Sequence, residues 1–243
     1  MTTNIKKESK EEVLDKKFIE NSLKTLGRRF GVNEAFRDVV TCIAYSFANA
    51  VDKTEDRENE YLRIINKYEE NERNLFPQIL VALVNEYEKA EEPIDILGDI
   101  YEELGLTKKG SAQFFTPIEV CKVMAKLTIN KEESKKKIDE KGYINISDPS
   151  CGSGRNLYAA YSELLDSGID SNKILIEGDD IDLTCCCMTY IGLSLMGANA
   201  IVNHQDTLTM KRYDTFYTVA YAINKDLQEI IAKENKIEEG IEV

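Results

Sequence analysis

The string Asp148-Pro149-Ser150-Cys151-Gly152-Ser153-Gly154 has the residue types and spacing of a ligand-binding turn. Its two glycines allow backbone conformations and a close approach that a Cβ would block, so a ligand can lie directly against the chain. In open α/β sheets such turns sit at the carboxyl ends of strands, where ligands bind. Gly-x-Gly alone also describes an ordinary strand-to-helix turn, and the third glycine of the Gly-x-Gly-x-x-Gly dinucleotide fingerprint is missing. A second acidic run, Glu177-Gly178-Asp179-Asp180-Ile181-Asp182, ends the next apolar stretch. A carboxylate at that turn can accept both hydroxyls of a ribose, while Asp182 suits the N-cap of a following helix. Upstream, in Ser111-Ala112-Gln113-Phe114-Phe115-Thr116-Pro117, Thr116 reads as an N-cap, Pro117 as the first helical residue and Glu119 as the partner in a capping box. A helix start there would favour a ligand carboxylate by ~0.3–1 kcal/mol. Asp206-Thr207-Leu208 follows a third apolar stretch and by itself reads as a loop aspartate.

The elements that must hold these residues follow from hydrophobic spacing. Phe36, Val39, Val40, Ile43, Ala44, Phe47, Ala48 and Val51 recur at intervals of three and four, which predicts an amphipathic helix over 34–51; Leu75, Ile79, Leu80, Leu83, Val84 and Tyr87 predict another over 75–89. The chain up to about residue 105 therefore reads as a helical region. From residue 111 short β-rich runs alternate with helical ones. Helices are expected at about 117–129, 155–167 and 182–196, and strands at 143–147, 173–177 and 200–203, with a further strand near 214–222. Strands separated by helices imply βαβ units and a parallel sheet covered by helices.

The seven-residue string is similar to the first motif of the adenine-N6 DNA methylases, and the chain resembles the N-6 adenine-specific DNA methylase family as found in type I restriction-modification methyltransferase subunits. The resemblance implies S-adenosyl-L-methionine as cofactor, with Asp148, Cys151, Gly152 and Gly154 holding its methionine portion. Gln113 to Pro117 resembles the family's Gln-Phe-Phe/Tyr-Thr-Pro motif, which implies that Phe114, Phe115 and Thr116 meet the methionine carboxylate. The family pattern of Gly, any residue, acid, apolar, Asp or Asn matches Gly178 to Asp182 and nominates Asp180 for the ribose. It also makes Asp206 the acceptor for the adenine amino group. Ile96 to Leu104 looks like the helix that precedes the Gln-Phe-Phe-Thr-Pro motif, so the resemblance covers about residues 95–214 with the motifs in family order. It implies an α/β fold, Rossmann-like as in S-adenosylmethionine-dependent methyltransferases, mostly parallel and truncated. An N-terminal helical region (1–105) would precede the methyltransferase-like domain (106–243).

One family motif is missing. The exocyclic nitrogen of adenine is a poor nucleophile, and an Asn-Pro-Pro-Phe/Tyr segment after the third strand accepts its two hydrogens and stacks on the flipped base. Here Tyr213-Asp214 aligns with the residues just before it, but Thr215-Phe216-Tyr217-Thr218-Val219-Ala220-Tyr221 stands in its place. The four prolines all lie earlier, at 77, 93, 117 and 149. No catalytic residue is assigned. Two expectations follow from the resemblance: a DNA adenine-N6 methyltransferase, divergent in its catalytic loop or completed by another chain, or a catalytically inactive cofactor-binding homologue with a regulatory, partner-binding or anti-restriction role. A small-molecule methyltransferase on the same fold is a third reading.

Charge bears on the partner. The chain carries 31 basic and 44 acidic residues, a formal net charge of −13, whereas a domain that binds duplex DNA alone must neutralise several phosphates and is usually basic. DNA is thus a partner by resemblance only, and a protein partner or a second copy is the alternative. Lys131 and Lys135 to Lys137 cluster, but acidic neighbours dilute them, and the segment reads as a solvated charged loop. Three of the six cysteines, Cys185 to Cys187, are consecutive in a helical pattern, so they point in different directions and cannot all reach one metal; buried thiols are expected and no metal site. No apolar run approaches the ~20 residues that span a bilayer, and the first ten residues lack a signal-peptide core, so a soluble cytoplasmic protein is expected.

Overall fold

The structure is a computed structural model that describes residues 13–106 and 115–238. Six helices come first: α1 (Lys16–Phe30), α2 (Val32–Val51), α3 (Glu55–Ile65), α4 (Glu70–Arg73), α5 (Leu75–Lys89) and α6 (Ile96–Glu103). Then α7 (Ile118–Thr128) and α8 (Lys131–Lys141) lead into β1 (Ile144–Asp148), α9 (Arg155–Asp166), β2 (Ile174–Asp180), α10 (Leu183–Leu195), β3 (Ala200–Asp206) and β4 (Lys211–Tyr217), followed by α11 (Val219–Ile223) and α12 (Lys225–Glu238). Helix starts follow capping chemistry: Asp15, Thr54, Asp95 and Asp182 each accept a backbone N–H of the first turn of α1, α3, α6 and α10.

The sheet runs β1-β2-β3-β4, with the first three strands parallel and β4 antiparallel to β3. Register pairs Ile146 with Ile176, and Gly178 with Val202. Because side chains alternate along a strand, one face gathers Ile144, Ile174, Ile176, Ala200, Val202 and Phe216, all buried. Helices α9 and α10 cover that face, and α2 packs on α10. Sandwiched this way, α10 is buried nearly all round, from Thr184 to Leu193, the condition under which a helix needs no polar stripe. One core therefore runs from Phe18 and Leu23 of α1 through Phe36 and Tyr190 to Phe216. The other sheet face is polar toward the strand tips, where Asp179 accepts from Asn203 (2.8 Å) and Gln205 (2.6 Å), and Thr215 donates to Asn203 (2.9 Å). Among the described residues, Tyr143 and Leu175 form a buried cluster there with Leu227 of α12.

Three local expectations are corrected. The segment 214–222 is not one strand: pairing ends at Tyr217, and Thr218 turns the chain into α11 by accepting the Tyr221 N–H while its hydroxyl donates to the Ala198 carbonyl (2.7 Å). Its strand part forms a hairpin with β3, a pairing set by the polar register of Asn203 and Thr215 and the buried Phe216. The lysine-rich segment is a helix, α8, not a loop, because Asn130 caps it by accepting from Glu132 and Glu133 and Gly142 ends it in the left-handed region. Thr116 does not cap α7; Pro117 holds the cap position in an extended conformation with no side-chain cap bond, and Glu119 pairs with Lys122 (3.1 Å) instead of closing a capping box. The six cysteines are buried and unbridged; Cys186 Sγ faces the carbonyls of Asp180 (3.3 Å) and Asn203 (3.5 Å). Among the described residues no helix is long and apolar enough to cross a membrane.

Candidate functional site

The glycine loop leaves the tip of β1 and enters α9, and it is tied to the neighbouring strand. Cys151 N donates to the Asp179 carbonyl (2.9 Å), Gly152 N donates to Asp180 Oδ2 (2.9 Å), and Thr189 Oγ1 donates to the Gly152 carbonyl (2.8 Å). Gly152 and Gly154 have φ of +56° and +98°, the left-handed region that glycine adopts without a Cβ penalty. A Cβ on Gly152 would stand 3.1 Å from the Phe115 ring, so the aromatic side chain lies directly on the loop. Between them opens a cavity of about 260 Å³ walled by Phe115, Thr116, Ser150 to Ser153, Asn156 and Asp180.

Asp180 is 9% exposed. Burial pushes its carboxyl up from the ordinary aspartate range, opposed by the N–H groups of Asp182 and Gly152. Asp182 N donates to its other oxygen at 2.9 Å. Two backbone donors leave a carboxylate with free lone-pair directions, so it can still accept hydroxyls from the cavity side. Asp148 accepts from Ser150 N (3.0 Å) and from Asn156 Nδ2 (3.3 Å), behind the cavity wall. Among the described residues the carbonyl oxygen of Asn156 is the buried side-chain polar atom left without a partner. Since Asn156 gives its N–H₂ to a carboxylate, the unpaired atom is the acceptor.

The structure thus brings Phe115, Thr116, Cys151, Gly152 and Asp180 to one cavity. Gly154 shapes the loop from behind, with the position of a Cβ 2.5 Å from Tyr158 Cζ. Asp206 stands apart: its carboxylate accepts from Leu208 N (3.0 Å) and Thr209 N (3.2 Å), and Thr209's donors hold it below the usual carboxylate range. The site loop is joined to the Asp206 turn through Thr207 Oγ1, which donates to the Pro149 carbonyl (2.8 Å). Phe114 lies outside the described residues.

Sequence reasoning missed the group that holds these parts together. Arg155, the first residue of α9, donates through Nε to Asp95 (2.7 Å) and through Nη2 to Asp99 and Glu102 (2.9 Å each), all on or capping α6. Its Nη1 reaches the Thr116 carbonyl (3.4 Å), and its guanidinium lies 5.5 Å from the centre of the Phe115 ring. Asp95 also accepts from Ser153 Oγ and from Gly98 N (2.9 Å). One arginine therefore pins the glycine loop, the Phe115–Thr116 segment and α6. The signal was present as Asp95, Asp99 and Glu102, spaced along one side of a helix, but nothing local names their partner some 53 to 60 residues away.

A larger hollow of about 580 Å³ opens on the polar sheet face beneath Tyr217 and Tyr221. Its two carboxylates are paired, Glu234 with Lys141 and Tyr143, and Glu177 with Asn145, whereas the motif residues Phe115, Thr116, Cys151, Gly152 and Asp180 line the strand-tip cavity, which is the candidate site.

The sequence profile of the N-6 DNA Methylase family matches residues 92–233, a span that starts just before Asp95 and runs past Asp206. The chain is 30% identical over 155 residues to the Type I restriction enzyme MjaVIII methylase subunit of Methanocaldococcus jannaschii, covering 60% of this chain and 24% of that protein. It is 28% identical over 154 residues to the Type I restriction enzyme MpnII methylase subunit of Mycoplasma pneumoniae, covering 60% and 26%. The chain spans about a quarter of the length of these curated relatives. The crystal structure of the type I restriction-modification system methyltransferase subunit from Streptococcus thermophilus superposes with a TM-score of 0.42 at 16% identity, over 79% of this chain and 58% of that one. Since the matched span takes in more than half of the chain, and with it the glycine loop, Asp180 and the Arg155 cluster, the chain belongs to the N-6 DNA methylase family.

Proposed function

We propose that this chain binds S-adenosyl-L-methionine in the strand-tip cavity and serves the methylation of adenine in DNA only together with a partner that supplies the adenine-binding residues. The observation that carries this reading is the convergence of the glycine loop, Phe115, Thr116 and buried Asp180 on one cavity at the family's motif positions. The cofactor, when bound, supplies an electrophilic methyl group on a sulfonium. What the chain contributes is placement. The missing Cβ of Gly152 lets the Phe115 ring pack against the loop, and the methionine portion lies in the cavity that this ring, Ser150 to Ser153 and Asp180 enclose. Asp180 accepts the ribose hydroxyls. The unpaired acceptor of Asn156, at the same wall, suits a donor such as the methionine ammonium once the side chain adjusts toward it. At about 260 Å³ the cavity falls just below the ~300–1,000 Å³ of small-molecule sites, so the adenine ring must extend beyond it, over Ile181 toward the Asp206 turn.

The second reading, a cofactor-binding homologue without turnover, is favoured by the segment that replaces Asn-Pro-Pro-Phe. Phe216 is buried, Asp214 and the Thr215 carbonyl are held by Arg57 (2.7 and 2.6 Å), and Thr218 is spent on capping α11. None of these groups is free to accept the hydrogens of a flipped adenine. Work on DNA would put the protein in the cytoplasm, with DNA reached through the partner rather than through this acidic surface.

Two tests follow. Titration calorimetry should show binding of S-adenosylmethionine and of its demethylated product; no heat for either up to millimolar concentration would sink the reading. Asp180→Asn should weaken binding by about ten- to a hundredfold, the worth of hydrogen bonds to a charged acceptor. Ribose hydroxyls donate to the ionised carboxylate, and burial raises the carboxyl's pKa. Affinity should therefore fall on acidification sooner than an ordinary aspartate would cause, and this pH dependence should flatten in Asp180→Asn. The chain alone should transfer no tritiated methyl to unmethylated genomic DNA; transfer that Asp148→Ala abolishes would restore a complete enzyme.

A further inference from the structure

Helix α7 is amphipathic in an unusual sense. Its inner side packs Ile118, Cys121 and Ala125 against Ala159 of α9. Its outer side carries Val120, Val123, Met124 and Leu127, which are 46, 56, 48 and 81% exposed. These positions follow i, i+3, i+4, i+7, so at about 100° per residue they form one continuous apolar stripe facing away from the protein. Such a stripe on an otherwise charged surface marks an interaction site.

The pattern of the stripe identifies its occupant. Read from either end about the midpoint between Val123 and Met124, the stripe is the same kind of surface: Val120 mirrors Leu127, and Val123 mirrors Met124. Glu119 and Lys126, two turns apart, both lie on one flank. A two-fold rotation that sets two copies of α7 antiparallel keeps each flank on its own side, so Glu119 of each copy comes within about two residues' rise, ~3 Å along the axis, of Lys126 of the other, a gap the two long side chains span. Glu119 is well exposed, and its hydrogen bond to Lys122 leaves one carboxylate oxygen free. Acid toward the start and base toward the end of the same flank is charge complementarity with itself, the e/g logic of antiparallel helix pairs.

We propose that α7 is a homodimer interface, with the α7 stripes of two copies of this chain packed antiparallel and flanked by two Glu119–Lys126 pairs. The proposal is independent of the cofactor reading. Sedimentation equilibrium of the full chain should show a reversible monomer–dimer equilibrium. Leu127→Glu should weaken it by more than about tenfold, as expected for a charge placed within an apolar interface. Lys126→Glu sets acid against acid in both pairs and should weaken it too, while Glu119→Lys combined with Lys126→Glu should bring association back. All three positions are exposed, so circular dichroism and melting temperature should stay near those of the parent. A parent chain that stays monomeric at all concentrations overturns the proposal and leaves the stripe to another protein. A dimer indifferent to Leu127→Glu overturns it by placing the interface elsewhere. Failure of the charge swap to restore association overturns the antiparallel arrangement.

Discussion

Replacing Arg155 with alanine should cost the fold about 3–5 kcal/mol at neutral pH, the range seen when one partner of a buried ion pair is removed. The side chains of Arg155 and Asp95 are 7% and 2% exposed, so neither charge is solvated by water. With arginine gone, Asp95 keeps only Ser153 Oγ and Gly98 N, and its charge is left uncompensated in the interior. Burial already pushes the Asp95 carboxyl up from its usual range, against the pull of Ser153, the guanidinium and Gly98. Deleting the guanidinium pushes it further. A carboxyl whose folded-state pKa is raised binds its proton more tightly folded than unfolded, so its burden on stability is small in acid and grows as the pH rises through the folded value. The deficit of Arg155→Ala should therefore shrink as the pH is lowered, and urea midpoints measured from neutral to acid pH read this directly. Adding Asp95→Ala should recover part of the loss, because the orphaned charge goes with it. A loss below about 1 kcal/mol at neutral pH, the worth of a surface pair, would show that the cluster is hydrated in solution. Cofactor affinity should fall in the same variant, since Arg155 also holds the Thr116 carbonyl and the Phe115 ring.

Gly154→Ala is the second large effect, expected at about 2–5 kcal/mol from a left-handed conformation forced on alanine together with an overpacked interior. The new methyl would stand 2.5 Å from Tyr158 Cζ and 2.7 Å from its hydroxyl oxygen. Tyr158 cannot retreat: it is fully buried, its hydroxyl donates to the carbonyls of Met188 (3.2 Å) and Thr189 (3.4 Å), and its far end rests against Gly192 of α10. Loop, α9 and α10 thus share one ring that two glycines make room for. Thermal unfolding checks the magnitude. Tyr158→Leu should cost stability alone yet make Gly154→Ala less costly in the double variant, and strict additivity would mean the clash is relieved by backbone movement instead.

Much of the fold was legible because it is local. Spacing alone located α2 and α5 within two residues, the alternation of strands and helices located β1 to β3, and Asp182 was readable as the cap of α10. Motif order likewise put Cys151, Gly152 and Asp180 at strand tips, and chain connectivity does the rest, because neighbouring parallel strands bring their carboxyl ends together. The reading failed where a partner far along the chain decides. Thr116 has good cap chemistry, but Arg155 takes its carbonyl and Pro117 stays extended. Asp206, by contrast, keeps to its own turn, where one carboxylate oxygen accepts from Leu208 N and Thr209 N.

The amino-acid sequence by itself determined the long helices α2 and α5, the three parallel strands with the helices between them, and which residues resemble the family's motifs, since periodicity, capping and glycine act within a few residues. Only the tertiary structure decided that β4 turns back against β3, that one arginine ties three acids of α6 to the cavity, and that the outer face of α7 is left uncovered. The Arg155 cluster joins groups more than 50 residues apart, and each outcome rests on which charges and apolar faces meet in the folded chain, an identity that no local pattern encodes.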